Sequence, residues 1–270
     1  KVPVLPDGTT GHVWAHGVLK EGIRKLPLWW VLISLAMFIT GFTYLALYPG
    51  FGSFKGMLGW TAHGELATDL AANRSKLDPL LQRVAVQPVE TIARDAEATL
   101  VGQRLFIDNC AACHGNEGHG NHLVGAPNLI DGDWLYGGSG DAILASIQDG
   151  RMGVMPPMGA SFDAATVDNL ANYVLSLSGA DHWPSKAAAG QASFALCAAC
   201  HGPTGTGNQA LGAPDLTDHV WLYGGDNAAI ERTIRDGRSG VMPAWRTRLS
   251  DTDARMIAAW VYEQSRSQAR

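Results

Sequence analysis

Cys110-Ala-Ala-Cys113-His114 recurs 87 positions later as Cys197-Ala-Ala-Cys200-His201. The surrounding sequence recurs with it. Of the 47 residues in 110–156, 29 are identical to their partners in 197–243. The identities include Gly-Ala-Pro, Trp-Leu-Tyr-Gly-Gly and Gly-Arg-x-Gly-Val-Met-Pro. A duplication on this scale means two copies of a domain of roughly 85 residues, each large enough to enclose a small core.

Helical periodicity frames each copy. Ala98, Val101, Gly102, Leu105 and Phe106 share one face ahead of Cys110, and Val167, Leu170, Ala171 and Val174 do so at the end of the first copy, stopped near Gly179. In the second copy Ser250 with Asp253 reads as a helix start, and Ala254, Ile257, Ala258 and Val261 form the stripe. Alternating strand patterns are nearly absent. The sequence predicts mostly α domains over 98–181 and 186–266, joined by a hinge at 181–186, with long Gly-rich loops between short helices.

Upstream, the run 28–48 holds 21 residues without a charge. As a helix it spans about 30 Å, the thickness of a hydrocarbon core. Trp29 and Trp30 at one end, and Tyr44 and Tyr48 at the other, suit the two interfaces. Lys20, Arg24 and Lys25 precede it, so the positive-inside rule places 1–27 in the cytoplasm and everything after Pro49 across the membrane. A buried core helix and a cleaved signal sequence are the alternatives; the apolar run is long and no small-x-small site follows, which favours an uncleaved anchor. The stretch 49–97 reads as a spacer of two polar helical pieces around Pro79 and Pro88.

Composition closes off other classes. Of 270 residues, 46% are hydrophobic and 17% charged, too apolar for a disordered chain. The net charge is −5 without a basic run, which argues against a nucleic-acid partner. Charge is uneven along the chain: residues 100–183 carry net −7 and 184–270 net +1.

In C-x-x-C-H, two thiols on one helical turn are placed to add to the two vinyl groups of a haem, and the adjacent histidine faces the iron. A zinc ribbon does not require a histidine after each cysteine pair, and a thioredoxin-type pair belongs to a strand-rich fold. Two covalent haem c groups are therefore expected, on Cys110 and Cys113 and on Cys197 and Cys200, with His114 and His201 as axial ligands. Of Met152, Met155 and Met158, only Met155 keeps its identity in the second copy, as Met242. Met155 and Met242 are the expected thioether ligands, with Met152 and Met158 as substitutes at the first haem. His119 and His122, which pair with Thr206 and Gln209, read as loop residues. With His and Met filling both axial positions, such haems carry electrons and bind no substrate.

The two C-x-x-C-H domains resemble class I cytochrome c domains. Leu26-Pro-Leu-Trp-Trp30, Tyr48-Pro-Gly-Phe-Gly52, Gly56-Met-Leu-Gly-Trp-Thr61 and Asp133-Trp-Leu-Tyr-Gly-Gly138 extend the likeness. So do Trp221-Leu-Tyr-Gly-Gly225 and Gly-Arg-x-Gly-Val-Met-Pro. Together they resemble the dihaem subunit family (CcoP or FixP) of cbb3-type cytochrome c oxidases, over nearly all of 9–265. The segment between His12 and Leu26 departs from that family's acidic, Asn-Pro-containing run. The resemblance implies two proline carbonyls that orient the proximal histidines, at Pro127 and Pro214. It implies that Arg151 and Arg238 lie near the haem propionates, and that Trp134, Tyr136, Trp221 and Tyr223 pack on the haem edges.

It further implies a single-pass protein of the bacterial inner membrane with periplasmic haem domains. Its partners would be a haem-copper catalytic subunit, a monohaem cytochrome c subunit, the bilayer, and a soluble or membrane-bound cytochrome c donor. The chain would then pass electrons to an oxygen-reducing partner in aerobic or microaerobic respiration without catalysis of its own. A free-standing dihaem shuttle is the alternative. A dihaem peroxidase needs an open ligand position, which the repeated methionine disfavours. A basic donor is expected to dock on the acidic first domain, at Asp131, Asp133, Asp141 and Asp149, with the second domain, farther from the anchor and carrying Asp215 and Asp218, as the alternative entry point.

Overall fold

A computed structural model describes residues 4–22, 25–50 and 52–268. Arg24 and Phe51, which carry parts of the readings above, lie outside the described residues. The chain forms two compact units, residues 1–76 and 77–270.

The first unit begins with an antiparallel hairpin of β1 (Thr9–Trp14) and β2 (Leu19–Gly22), in which Trp14 pairs with Leu19. Helix α1 (Leu28–Leu47) follows, starting directly after Pro27. Among the described residues it is the one helix long and apolar enough to cross a membrane, with mean hydropathy 1.9 and no buried residue within the unit.

Helix α2 (Ala62–Val86) runs through Pro79, where the sequence suggested separate pieces. Its last turns bury Leu80 and Val84 at the base of the second unit. The one-turn α3 (Val89–Ile92) is followed by α4 (Ala96–Asn109), whose first turn is capped by the Asp95 carboxylate accepting from the N–H groups of Glu97 and Ala98. Arg83 ties Asp95 to Glu97, holding that cap in place. Then come the one-turn α5 (Ala111–His114), a long loop, and α6 (Gly140–Asp149), N-capped by Ser139.

The second copy repeats this plan. After β3 (Arg151–Met155), α7 (Ala164–Leu177) and α8 (Pro184–Gln191) come the one-turn α9 (Ala198–His201), α10 (Asn227–Asp236) and β4 (Arg238–Met242). The chain closes with α11 (Asp251–Gln268), entered through the reciprocal Ser250–Asp253 hydrogen bonds that the sequence signalled.

The two copies do not pack as they are strung. Helix α11 packs on α3, α4 and α6 of the first copy, burying Ala254, Met256, Ile257 and Trp260 with Phe106, Ile143 and Ile147. Helix α7 packs on α8 and α10 of the second copy, burying Val167, Leu170 and Val174 with Phe194, Ile230 and Ile234. Each repeat thus gives its last helix to the other's core. One core closes over segments 77–150 and 243–268, the other over 151–242.

Glycines permit the helix crossings. A Cβ at Gly102 would overlap the backbone carbonyl of Met256, and one at Gly190 that of Asn169. The connection 178–183 is short enough to hold α7 beside α8 as a hairpin.

The exchange happens at a ribbon where the sequence predicts Gly-rich loops. β3 and β4, both Arg-x-Gly-Val-Met, pair antiparallel in unbroken register from Arg151↔Met242 to Met155↔Arg238. Alternate residues face inward, giving the same half-buried and exposed alternation in both strands. At the two ends of the ribbon, Gly150 and Gly237 adopt φ +71°, and a Cβ on either would press on the carbonyl oxygen of Met242 or Met155 respectively. Only glycine meets both demands.

Candidate functional site

Each C-x-x-C-H motif makes a single helical turn ended by a glycine in a left-handed conformation, Gly115 or Gly202. Within that turn the histidine is buried at 8% exposure, the first cysteine half-buried and the second exposed. Burial, with a smaller contribution from nearby Cys113, pushes the Cys110 thiol up to about 11, and burial also raises Cys197. In the unattached chain these sulfurs are therefore thiols.

The histidines are oriented identically. His114 Nδ1 lies 3.1 Å from the Pro127 carbonyl oxygen, and His201 Nδ1 lies 3.0 Å from that of Pro214. A carbonyl only accepts, so Nδ1 carries the proton and donates, which leaves Nε2 of the neutral ring with its lone pair. Burial also lowers the pKa of His114, partly opposed by the Pro127 bond, so the ring stays neutral. The prolines are placed by tight loops, with Asn121 bridging to Ala126 and Asn208 to Ala213. Phe106 stands 6.5 Å from the His114 ring and 4.5 Å from Trp260, so α4 and α11 together wall the first site. At the second site Phe194 and Tyr173 stand 5.1 Å apart in the matching places.

Two thiols at C-x-x-C spacing beside a buried imidazole with a free Nε2 fit a covalently attached haem. Their chemistry suits vinyl addition and one axial nitrogen.

The methionines lie where the exchange puts them. Half-buried Met242 packs against the core built from α4, α6 and α11, and its carbonyl abuts Gly150. Met155 has its carbonyl against Gly237, at the end of α10. Met152 points outward at 73% exposure, whereas Met158 packs into the second core. His119 pairs with Glu117 on the surface, and His122 donates to the Leu222 carbonyl at 2.7 Å.

Of the remaining site residues, Trp134 lies against the first core and Trp221 against the second. Arg151 donates to Ser146 Oγ and stacks 4.8 Å from the centre of the Tyr136 ring. Arg238 donates to Thr233 Oγ1 and stacks 4.5 Å from the centre of Tyr223. Both tyrosines reach into the other repeat.

The exchange also redistributes charge. Segments 77–150 and 243–268 carry net −6 and 151–242 carries net −3, a smaller contrast than the one along the chain. Asp131, Asp133 and Asp218 lie within one another's fields, so the acids of the two copies form a shared region.

Residues 97–174 and 185–261 each match the family described as cytochrome c oxidase, cbb3-type, subunit III, and residues 6–55 match the N-terminal domain of cytochrome oxidase-cbb3, FixP. The chain is 45% identical to the cbb3-type cytochrome c oxidase subunit CcoP of Rubrivivax gelatinosus, across 97% of this chain and 85% of that protein. It is 36% identical to the subunit CcoP of Cereibacter sphaeroides, across 94% of this chain and 93% of that one. It is 38% identical to the subunit FixP of Azorhizobium caulinodans, across 94% and 92%.

Proposed function

The chain belongs to the family of subunit III of cbb3-type cytochrome c oxidases, and from that premise we propose that it holds two haem c groups and passes electrons from a cytochrome c donor towards the haem-copper catalytic subunit. The observation that carries this reading is the twofold recurrence of the histidine–proline bond, which leaves a ligand-competent Nε2 beside each cysteine pair.

Haem c, held this way, supplies a one-electron centre. The chain's own residues do the rest. Cys110, Cys113, Cys197 and Cys200 attach the two macrocycles, and His114 and His201 each offer Nε2. The exchange supports a crosswise pairing of the thioethers: Met242 would serve the site of His114, whose core it packs against, and Met155 would serve the site of His201. A soft thioether there would raise the potential of a bound haem and exclude small ligands, which suits electron transfer. Arg151 and Arg238 provide guanidinium groups suited to the propionate carboxylates.

Helix α1 anchors the chain in the inner membrane, with Lys20 and Lys25 on the cytoplasmic side and the cytochrome unit in the periplasm. A monohaem cytochrome c subunit and the catalytic subunit are its partners there. The acidic region shared by Asp131, Asp133 and Asp218 attracts a basic donor and speeds its encounter.

The test is purification in mild detergent. It should yield two covalent haems per chain, co-purifying oxidase subunits, and oxygen consumption that stops when both cysteine pairs are changed to alanine. A chain that purifies alone and leaves oxygen consumption untouched would contradict it.

A further inference from the structure

Two tyrosines leave their own repeat and end against the loops that hold the opposite histidines. The ring of Tyr136 packs on Gly212, where any side chain would overlap it. Tyr223 packs on Gly125, where a Cβ would stand 2.9 Å from its hydroxyl. Both glycines have φ +67°, and each lies two residues before the proline whose carbonyl takes the histidine proton: Gly212 before Pro214, Gly125 before Pro127. The Asn–Ala bridges close these loops to six residues, so a shift at the glycine reaches the proline carbonyl.

The tyrosines are themselves held. Arg151 and Arg238 each cover one ring face and are fixed through Nε to Ser146 and Thr233. The hydroxyls lie over the ribbon glycines, with Cβ positions at Gly153 and Gly240 standing 3.2 and 3.5 Å from Tyr136 and Tyr223. The His122–Leu222 hydrogen bond straps the first loop to the residue beside Tyr223.

We infer that Tyr223 is a positioning residue for the first haem site and Tyr136 for the second, each ring buttressing the loop whose proline carbonyl orients the other repeat's histidine. The strength of that Nδ1–H···O=C bond sets the basicity of Nε2 and so tunes the iron it binds. Removing the ring lets the loop relax, weakens the bond, makes the imidazole a poorer donor and raises the potential of the opposite haem. The inference rests on the reading that both motifs hold haem c.

The experiment uses the full-length holoprotein in detergent, with potentiometric titration and proton NMR of the hyperfine-shifted haem methyls. Through-space contacts to Phe106 or Phe194 tell the two haems apart. Tyr223→Leu should raise the potential and move the methyl resonances of the haem on Cys110 and Cys113, leaving the other in place. Tyr136→Leu should do the reverse. Tyr223→Phe keeps the ring and should move the same haem by a smaller shift, which decides the matter if the leucine variant does not accumulate. A shift confined to the tyrosine's own repeat, or none at either haem, overturns the inference while the haem assignment stands. A chain without covalent haem overturns the site reading itself.

Discussion

Met155 stands opposite Arg238 across the β3–β4 ribbon, and Met242 stands opposite Arg151. An antiparallel ribbon of two identical motifs runs each strand towards the start of the other. The methionine at the end of either strand is therefore delivered to the repeat that did not encode it. The last helices follow their methionines, and two cytochrome cores close by exchange.

Ending the chain before Asp251 should dismantle one core selectively. The truncation removes the buried face of α11 and the Trp260–Phe106 contact, and leaves α7, α8 and α10 intact. Peptide mass spectrometry and haem quantification should find the haem on Cys197 and Cys200 retained and the other lost or labile. Loss of the second haem instead would show that the helices pack within their own repeats.

Gly102→Val tests the tightest crossing. The new side chain would drive α4 away from the Met256 carbonyl, and overpacking of that kind costs about 1–3 kcal/mol. Thermal unfolding of the holoprotein should show a clear fall in midpoint. The same change at Leu100, which is 67% exposed on the same helix, should be nearly silent.

Asp131→Asn should stabilise the protein at neutral pH. Burial, then the charges of Asp133 and Asp218, raise the Asp131 carboxyl above its ordinary range against the opposing bond from the Asp133 N–H. The folded state therefore prefers the protonated form. Its contribution is present below the ordinary carboxylate pKa and is lost as pH rises through the raised value. At pH 7 the ionised group is a cost that asparagine removes while still accepting from Asp133. Unfolding midpoints should rise in the variant at pH 7, with the gain vanishing below about pH 4. An equal gain at both pH values would assign the effect to something other than ionisation.

Topology is checked by a reporter fused to the C-terminus that is active only after export. The proposed topology, with the haem-receiving thiols in the periplasm, predicts an active fusion. Replacing Lys20 and Lys25 by glutamine should lower the fraction inserted this way.

Much of this is legible in the sequence. The 87-residue repeat located both cysteine pairs, both histidines and the two methionines that keep their identity, and the uncharged run 28–48 contains α1. The helix stripes were visible because 3.6-residue periodicity marks which face is buried. It does not mark what buries it: the stripe on α11 fits α4 and α8 equally well. The exchange was hidden for that reason, and because Arg-x-Gly-Val-Met is too short and glycine-broken to read as a strand. Its one local sign was the connection 178–183, too short to send α7 far from α8. Tyr136 and Tyr223 stood out as aromatics near a haem, but reaching into the opposite loop depends on the ribbon.

One spectrum tests the crossed ligation most directly. In a chain retaining only the first haem, with Cys197 and Cys200 changed to alanine, the oxidised protein should show a single methionine–iron charge-transfer band at the red end of the visible range. Met242→Ala should abolish that band and Met155→Ala should leave it. If Met155→Ala removes the band and Met242→Ala does not, each repeat ligates its own haem and the account of the exchange is wrong.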